Sequence, residues 1–303
     1  MLNFKKITPE HREMYQTYLC SSPQRGCEYS FANLYLWGRQ SITEAHGHAV
    51  LFSQFNRRTV YPFPVGCGDK KAVLEAIMTD AKERGIPCRI TGILDADWET
   101  IETLFPGKFR FHSDRDSFDY VYDINDLADL KGRKYQRKRN HCNRFRQEFP
   151  DYEVVPITEE TLPQVRSLSE TWYTQKLEEN PQGDYHMEKA ALTRALDHYS
   201  QLGLEGLVLR IGEETVAFTM GSFQCCNTMD VHFEKALSEA EGAYPVINFE
   251  FARYLRSKYP QLQYLNREDD MGLEGLRKAK LSYCPHHMVE KGWACLLEDG
   301  YDY

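Results

Sequence analysis

The sequence has no apolar run of 18 residues, so it offers no candidate transmembrane helix. Its first residues, MLNFKKITPEHREMY, carry neither the apolar core nor the small-residue cleavage site of a secretory signal. It has no Cys-x-x-Cys pair. The 9 cysteines are odd in number and scattered, and Cys225 and Cys226 are adjacent, which is poor spacing for a metal. That argues against a zinc framework or a disulfide scaffold and points to reduced thiols in a cytoplasmic protein. His46-x-His48 lacks a third ligand, so no metal site is expected. Excess positive charge is also missing. The 37 Lys and Arg face 45 Asp and Glu, a net charge of −8, which speaks against general affinity for nucleic acid.

What is present is length and apolar content. The 303 residues suffice for two domains, and 42% hydrophobic residues can fill their cores. Hydrophobic spacing predicts helices over 31–37, 69–84, 162–177, 185–202 and 245–258. Alternating or β-branched runs predict strands at 41–44, 49–55, 59–62, 88–93, 152–157, 207–211, 216–223, 229–233, 262–266 and 288–297, with a turn at Asn56-Arg57-Arg58. The order strand, two helices, three strands, glycine loop, helix, strand, helix, strand occurs twice. The halves share element order, with little identity.

Two stretches depart from this background. Residues 131–146, KGRKYQRKRNHCNRFR, hold eight Lys or Arg and no acid. They read as a helix whose thin apolar side is Tyr135, Cys142, Phe145 and Phe149. Like charges at i,i+4 destabilise such a helix, so an anion seated there would gain; a solvated linker helix is the plainer alternative. Residues 264–285, YLNREDDMGLEGLRKAKLSYCP, run from a strand through Glu268, Asp269 and Asp270 into a helix with Arg277, Lys278 and Lys280. Asp270 is the expected N-cap. Strand-to-helix junctions are where α/β folds place chemistry, although a capped surface helix gives the same pattern.

Four motifs, KGRKYQRKRNHCNRF (131–145), HFEKAL (232–237), GAYPVINFEFA (242–252) and the 264–285 stretch, resemble the DUF2156 family. That family is similar to the C-terminal domain of phosphatidylglycerol lysyltransferase and, remotely, to Fem-type peptidoglycan transferases. The resemblance implies an α+β fold of two tandem GNAT-like domains, each a mixed sheet flanked by helices. Residues 1–125 would form the first domain, 126–150 a basic bridging helix, and 151–303 the second domain with the site. It also implies transfer of an aminoacyl group from charged tRNA, or of an acyl group from CoA, to an amine or hydroxyl acceptor, without a metal. Partners would be tRNA and an anionic lipid or small amine. The competing expectation is a non-catalytic protein that holds RNA or anionic lipid head groups through 131–146.

In a GNAT-like half, strand four splays from strand five and the donor's acyl arm enters the gap. His232 and Glu234, two apart on strand four, are expected on one face. Glu268 is the expected base, with His232, Asn266 and Asp270 beside it. Donor contacts are expected from Lys131, Arg137, Lys138, Arg139, Asn140, Lys235, Gly242, Tyr244, Asn248, Arg277 and Lys280. The loop before Gly242 carries Glu239 and Glu241, which would repel a pyrophosphate. Charge balancing of Glu268 by Arg277 and Lys280 is the competing account of that stretch.

Overall fold

A computed structural model describes residues 1–55 and 58–297. Asn56 and Arg57 of the expected turn lie outside the described residues. In chain order the elements begin with β1 (Lys5–Lys6), α1 (Arg12–Cys20), α2 (Phe31–Trp37), β2 (Gln40–Ala45), β3 (His48–Phe55), β4 (Arg58–Pro62) and β5 (Val65–Gly66). They continue with α3 (Lys70–Arg84), β6 (Arg89–Ile93), α4 (Asp95–Leu104), β7 (Phe109–Ser113), β8 (Asp119–Asp123), α5 (Ile124–Asp129) and α6 (Gln136–Glu148). Then come β9 (Glu153–Pro156), α7 (Leu162–Glu179), α8 (His186–Asp197), β10 (Leu204–Ile211), β11 (Glu214–Cys225), β12 (Thr228–Ala236) and α9 (Ala243–Lys258). The last are β13 (Tyr264–Asn266), α10 (Glu274–Leu281), β14 (His287–Val289) and β15 (Gly292–Leu296).

Local chemistry sets many of these bounds. Asp69 caps α3 by accepting from the Ala72 N–H at 3.0 Å, and Gly85 ends the helix in the left-handed region. Ser30 and Gly38 do the same for α2. The apolar stripe of α3, Val73, Leu74, Ile77 and Ala81, is buried against Tyr61, Ile90 and Ile93 of the sheet. Each such side chain contributes about 1.5–3 kcal/mol on leaving water.

Two compact units result. The first comprises Met1–Asp119, Asp269–Glu274 and Met288–Tyr303; the second comprises Tyr120–Glu268 and Gly275–His287. The leading segment of the first unit ends at Asp119, and the basic helix α6 is part of the second unit. The fold is α+β, with a mixed sheet flanked by helices in each unit.

The first sheet runs β1-β2-β3-β4-β6-β15-β7, with β5 paired to β3, and the second runs β14-β8-β13-β12-β11-β10-β9. The expected single strand 288–297 is thus two strands: β14 lies at the edge of the second sheet, whereas β15 enters the first between β6 and β7. Likewise β8, which follows the first repeat, lies in the second sheet beside β13. Each sheet takes one strand from the far end of the other repeat. Hydrophobic pattern identifies a strand without naming its neighbour, so the pairing of β15 with β6 and β7, and of β8 with β13, is not read from the sequence.

Candidate active site

In the second unit β12 and β13 run parallel and pair only where Thr228–Asp230 meets Tyr264–Asn266. Beyond Asp230 the ladder between them stops, and β12 continues to Ala236. The side chains at this splay form two groups.

The first is Glu268, His232 and Ser222. His232 Nδ1 is 3.1 Å from Glu268 Oε1, and its Nε2 is 2.8 Å from Ser222 Oγ. Glu268 takes a left-handed backbone, φ +61°, uncommon for a residue other than glycine. It is held there by its N–H, which donates to Asn266 Oδ1 at 2.8 Å, and its carbonyl, which accepts from the Tyr120 N–H at 3.1 Å. Asn266 itself is fully buried. Its amide oxygen is already engaged with the chain.

The second group is Glu234, Arg267 and Asn248. Arg267 Nη2 donates to Glu234 Oε1 at 2.7 Å, and Asn248 Nδ2 donates to Oε2 at 3.2 Å. The guanidinium lies 4.9 Å from the Tyr283 ring centre and 5.8 Å from that of Tyr122. Burial works against its charge, but Glu234 and the two phenols outweigh burial and raise its pKa. Lys138 of α6 places Nζ 3.7 Å from the centre of the same Tyr283 ring. Burial, then repulsion from Arg267 and Arg137, lowers its pKa to about 8.

A β-bulge in β12 falls at His232, one of the two residues expected on one face; its side chain meets Glu268 and that of Glu234 meets the adjacent Arg267. Met220 pairs with Phe233 and Gly221 with Val231, so His232 is the extra residue of β12. A bulge breaks strict alternation and re-aims a side chain. Gly221 is required opposite it, since a Cβ there would lie 2.2 Å from the Asp230 carbonyl oxygen.

Several expected residues are engaged elsewhere. Lys235 is buried, bonds Glu188 at 2.6 Å and lies 3.6 Å over Trp172; burial lowers its pKa. Tyr244 accepts from Trp172 Nε1 at 3.1 Å. Arg139 donates to the carbonyls of Leu130 and Gly132, and so braces the entry to α6. Lys131 pairs with Asp129 at 2.9 Å. Lys280 is buried and donates to the Arg267 carbonyl, so it does not join the half-buried Arg277 in an outward pair. Asp270 belongs to the first unit, accepts from the Gly272 N–H at 2.9 Å and lies 3.6 Å from Arg115. It does not cap α10, which starts four residues later at Glu274. Gly242 precedes α9 at φ +94° and packs near His141 and Phe145. Asn140 and Arg137 are exposed on α6.

The basic segment is neutralised in part by the chain itself. Lys134 meets Asp126 at 2.8 Å, Arg144 meets Glu241, and Arg146 meets Glu250 at 3.0 Å. Sequence reasoning missed Ser222 and Arg267. Nothing local marks Ser222, whereas Arg267 stands at the head of the very charge run that drew attention to Glu268.

A groove of about 520 Å³ lies away from these groups, lined by Val154, Leu207, Arg253 and Tyr254 among others. In the first unit Cys27, Asp119 and Asp269 bring ligand atoms within 4.8 Å of one another. Lys291 already supplies a cation there, 2.8 Å from Asp119 and bonded to Glu28.

The phosphatidylglycerol lysyltransferase C-terminal family matches residues 21–295, and the chain belongs to that family. Among solved structures, a conserved protein of unknown function from Bacteroides thetaiotaomicron is 38% identical, with a TM-score of 0.93 over 98% of this chain and 100% of that one. The L-PGS structure from Bacillus licheniformis shares the fold: TM-score 0.71, 16% identity, 98% of this chain and 94% of that one. An uncharacterised protein of Mycoplasmoides gallisepticum is 25% identical over 58% of this chain. The match spans 55% of that relative's length. Family and fold are of acyltransferase type. Among the described residues no helix is long and apolar enough to cross a membrane.

Proposed function

We propose that this protein transfers an aminoacyl or acyl group to an amine or hydroxyl acceptor at the splay of β12 and β13, with Glu268 as general base. The observation that carries the reading is the His232–Glu268 pair at the end of β13. Glu268 is its accessible member, with 21% of its side chain exposed against 1% for His232. The carboxylate takes the acceptor's proton, and the imidazole behind it fixes the carboxylate in place. Asn248, Arg267 and Lys138 line the neighbouring polar wall and serve the donor or the acceptor.

Aminoacyl-tRNA suits the donor side better than acyl-CoA. Glu239 and Glu241 flank the loop before α9, where a pyrophosphate would have to sit, although Glu241 is paired with Arg144 and Glu239 with Gln175. Arg137 remains outward on α6 and suits a phosphate backbone. An anionic lipid or small amine is the acceptor class.

The test uses charged tRNA and acyl-CoA as donors at low salt. Glu268→Gln is expected to lower turnover by about 10²–10⁴-fold while keeping donor affinity. Full turnover in that variant removes Glu268 as the base. Exposed Arg137 also favours a second reading, a non-catalytic RNA-binding protein. That reading expects salt-dependent binding, unaffected by Glu268→Gln, with no turnover on either donor.

A further inference from the structure

Ser222 lies on β11, outside every motif that marks the site, yet it closes a chain of hydrogen bonds that ends at Glu268. The three side chains grade in exposure. Ser222 is 4% exposed as a residue, the His232 side chain 1% and the Glu268 side chain 21%. The chain therefore has a buried end and an open end, and the open end is the carboxylate.

The donor and acceptor chemistry assigns its direction. An ionised carboxylate only accepts, so the ring nitrogen facing Glu268, Nδ1, carries the hydrogen. In the neutral ring Nε2 is then bare, and it can only accept, so the Ser222 hydroxyl donates to it. In the opposite tautomer the bare Nδ1 would face the carboxylate, losing that hydrogen bond and setting lone pairs against each other, whereas the Ser222 hydroxyl can bond Nε2 in either form. Glu268 thus selects the Nδ1–H tautomer, and Ser222 closes the chain by donating to the bare Nε2 that results.

We infer that Ser222 is a positioning residue for Glu268, acting through His232: its hydroxyl donates to Nε2 and fixes the ring, and the ring's Nδ1–H holds the carboxylate. The inference rests on the reading of Glu268 as base only for its effect on turnover. The bulge at His232 and the close approach allowed by Gly221 bring the β12 ring to the β11 hydroxyl. Asn266 fixes the Glu268 backbone from the other side. The carboxylate is restrained at both its main chain and its side chain, as a preorganised base requires.

The test has two arms, both on the full chain. Long-range proton–nitrogen correlation spectra of ¹⁵N-histidine-labelled protein, with His232 identified by its loss in His232→Gln, report the tautomer. The neutral wild-type ring is expected protonated at Nδ1 and bare at Nε2. In Ser222→Ala the Nε2 resonance is expected to move toward that of a nitrogen without a hydrogen-bond donor, and Ser222→Thr is expected to restore it. A wild-type ring protonated at Nε2 overturns the inference, and this spectrum needs no variant of Ser222 to fold. The second arm is a double-mutant cycle on turnover. Ser222→Ala is expected to lower kcat roughly tenfold, the loss of about one hydrogen bond, with KM unchanged. In a Glu268→Gln background it is expected to change nothing further. Equal losses in both backgrounds overturn the inference. A ring protonated at Nδ1 in a protein without turnover on any donor sinks the transferase reading and leaves the hydrogen-bond chain supported.

Discussion

Glu234 and Arg267 are joined at 2.7 Å with side chains only 10% and 14% exposed. A pair so placed contributes little beyond an apolar replacement of equal shape, yet removing one partner leaves a buried charge unmatched. Glu234→Ala is therefore expected to cost about 3–5 kcal/mol. Denaturant unfolding measures it. Restoration of most of that loss is expected in Glu234→Ala/Arg267→Met, and additive losses in the double variant would show the pair to be independent.

Lys138 titrates at about 8, below its ordinary 10.5, because burial and the cations Arg267 and Arg137 disfavour its charge. Between those values the unfolded chain binds more protons than the folded one, so this group makes stability rise with pH across that window. Lys138→Met is expected to stabilise the protein below about pH 8, with the gain fading toward pH 10.5. Melting temperatures from pH 7 to 10.5 test this. A gain that stays constant across the range would exclude the titration of Lys138 as its source.

Arg137 and Arg139 are two residues apart and serve different ends. Arg139 holds two backbone carbonyls, so Arg139→Ala is expected to destabilise by about 1–3 kcal/mol. Arg137 is exposed, so Arg137→Ala is expected within about 0.5 kcal/mol of wild type. If α6 holds a phosphate backbone, Arg137→Ala also lowers the salt slope of tRNA binding by about 0.7–0.9. Unfolding curves and binding at several salt concentrations separate the two.

Lys291 is buried between Asp119 and Glu28. Burial opposes its charge, yet Asp119, Cys27 and Glu28 raise its pKa well above the ordinary value. Lys291→Met leaves those carboxylates without their cation, at an expected cost of about 3–5 kcal/mol near neutral pH. Stranded acids bind protons more readily in the folded state than in the unfolded one. The deficit is therefore expected to shrink as pH falls toward 5. A deficit independent of pH would point to lost packing.

The helix 69–84 was legible from its apolar spacing, because amphipathicity is local. The motifs around Glu268 and Lys138 drew attention because their charge density is visible in one dimension. His232 was also legible, but its geometry was not: the bulge that aims it depends on how β11 registers against β12. Ser222 gave no local signal, since an isolated serine in a strand reads the same wherever its hydroxyl points. Lys235, Tyr244 and Lys280 share motifs with the site, and their partners Glu188, Trp172 and the Arg267 carbonyl are set by packing that no spacing rule encodes.

By itself the sequence determined which segments are helices and strands, that two similar element orders follow one another, and which residues carry the dense charge. These follow from periodicity, caps and composition, all short-range. Only the tertiary structure decided that β15 completes the first sheet and β8 the second, and that Glu268 is backed by His232 and Ser222. Those outcomes depend on pairing between residues far apart in the chain, where the free energy of closing a sheet outweighs any local preference.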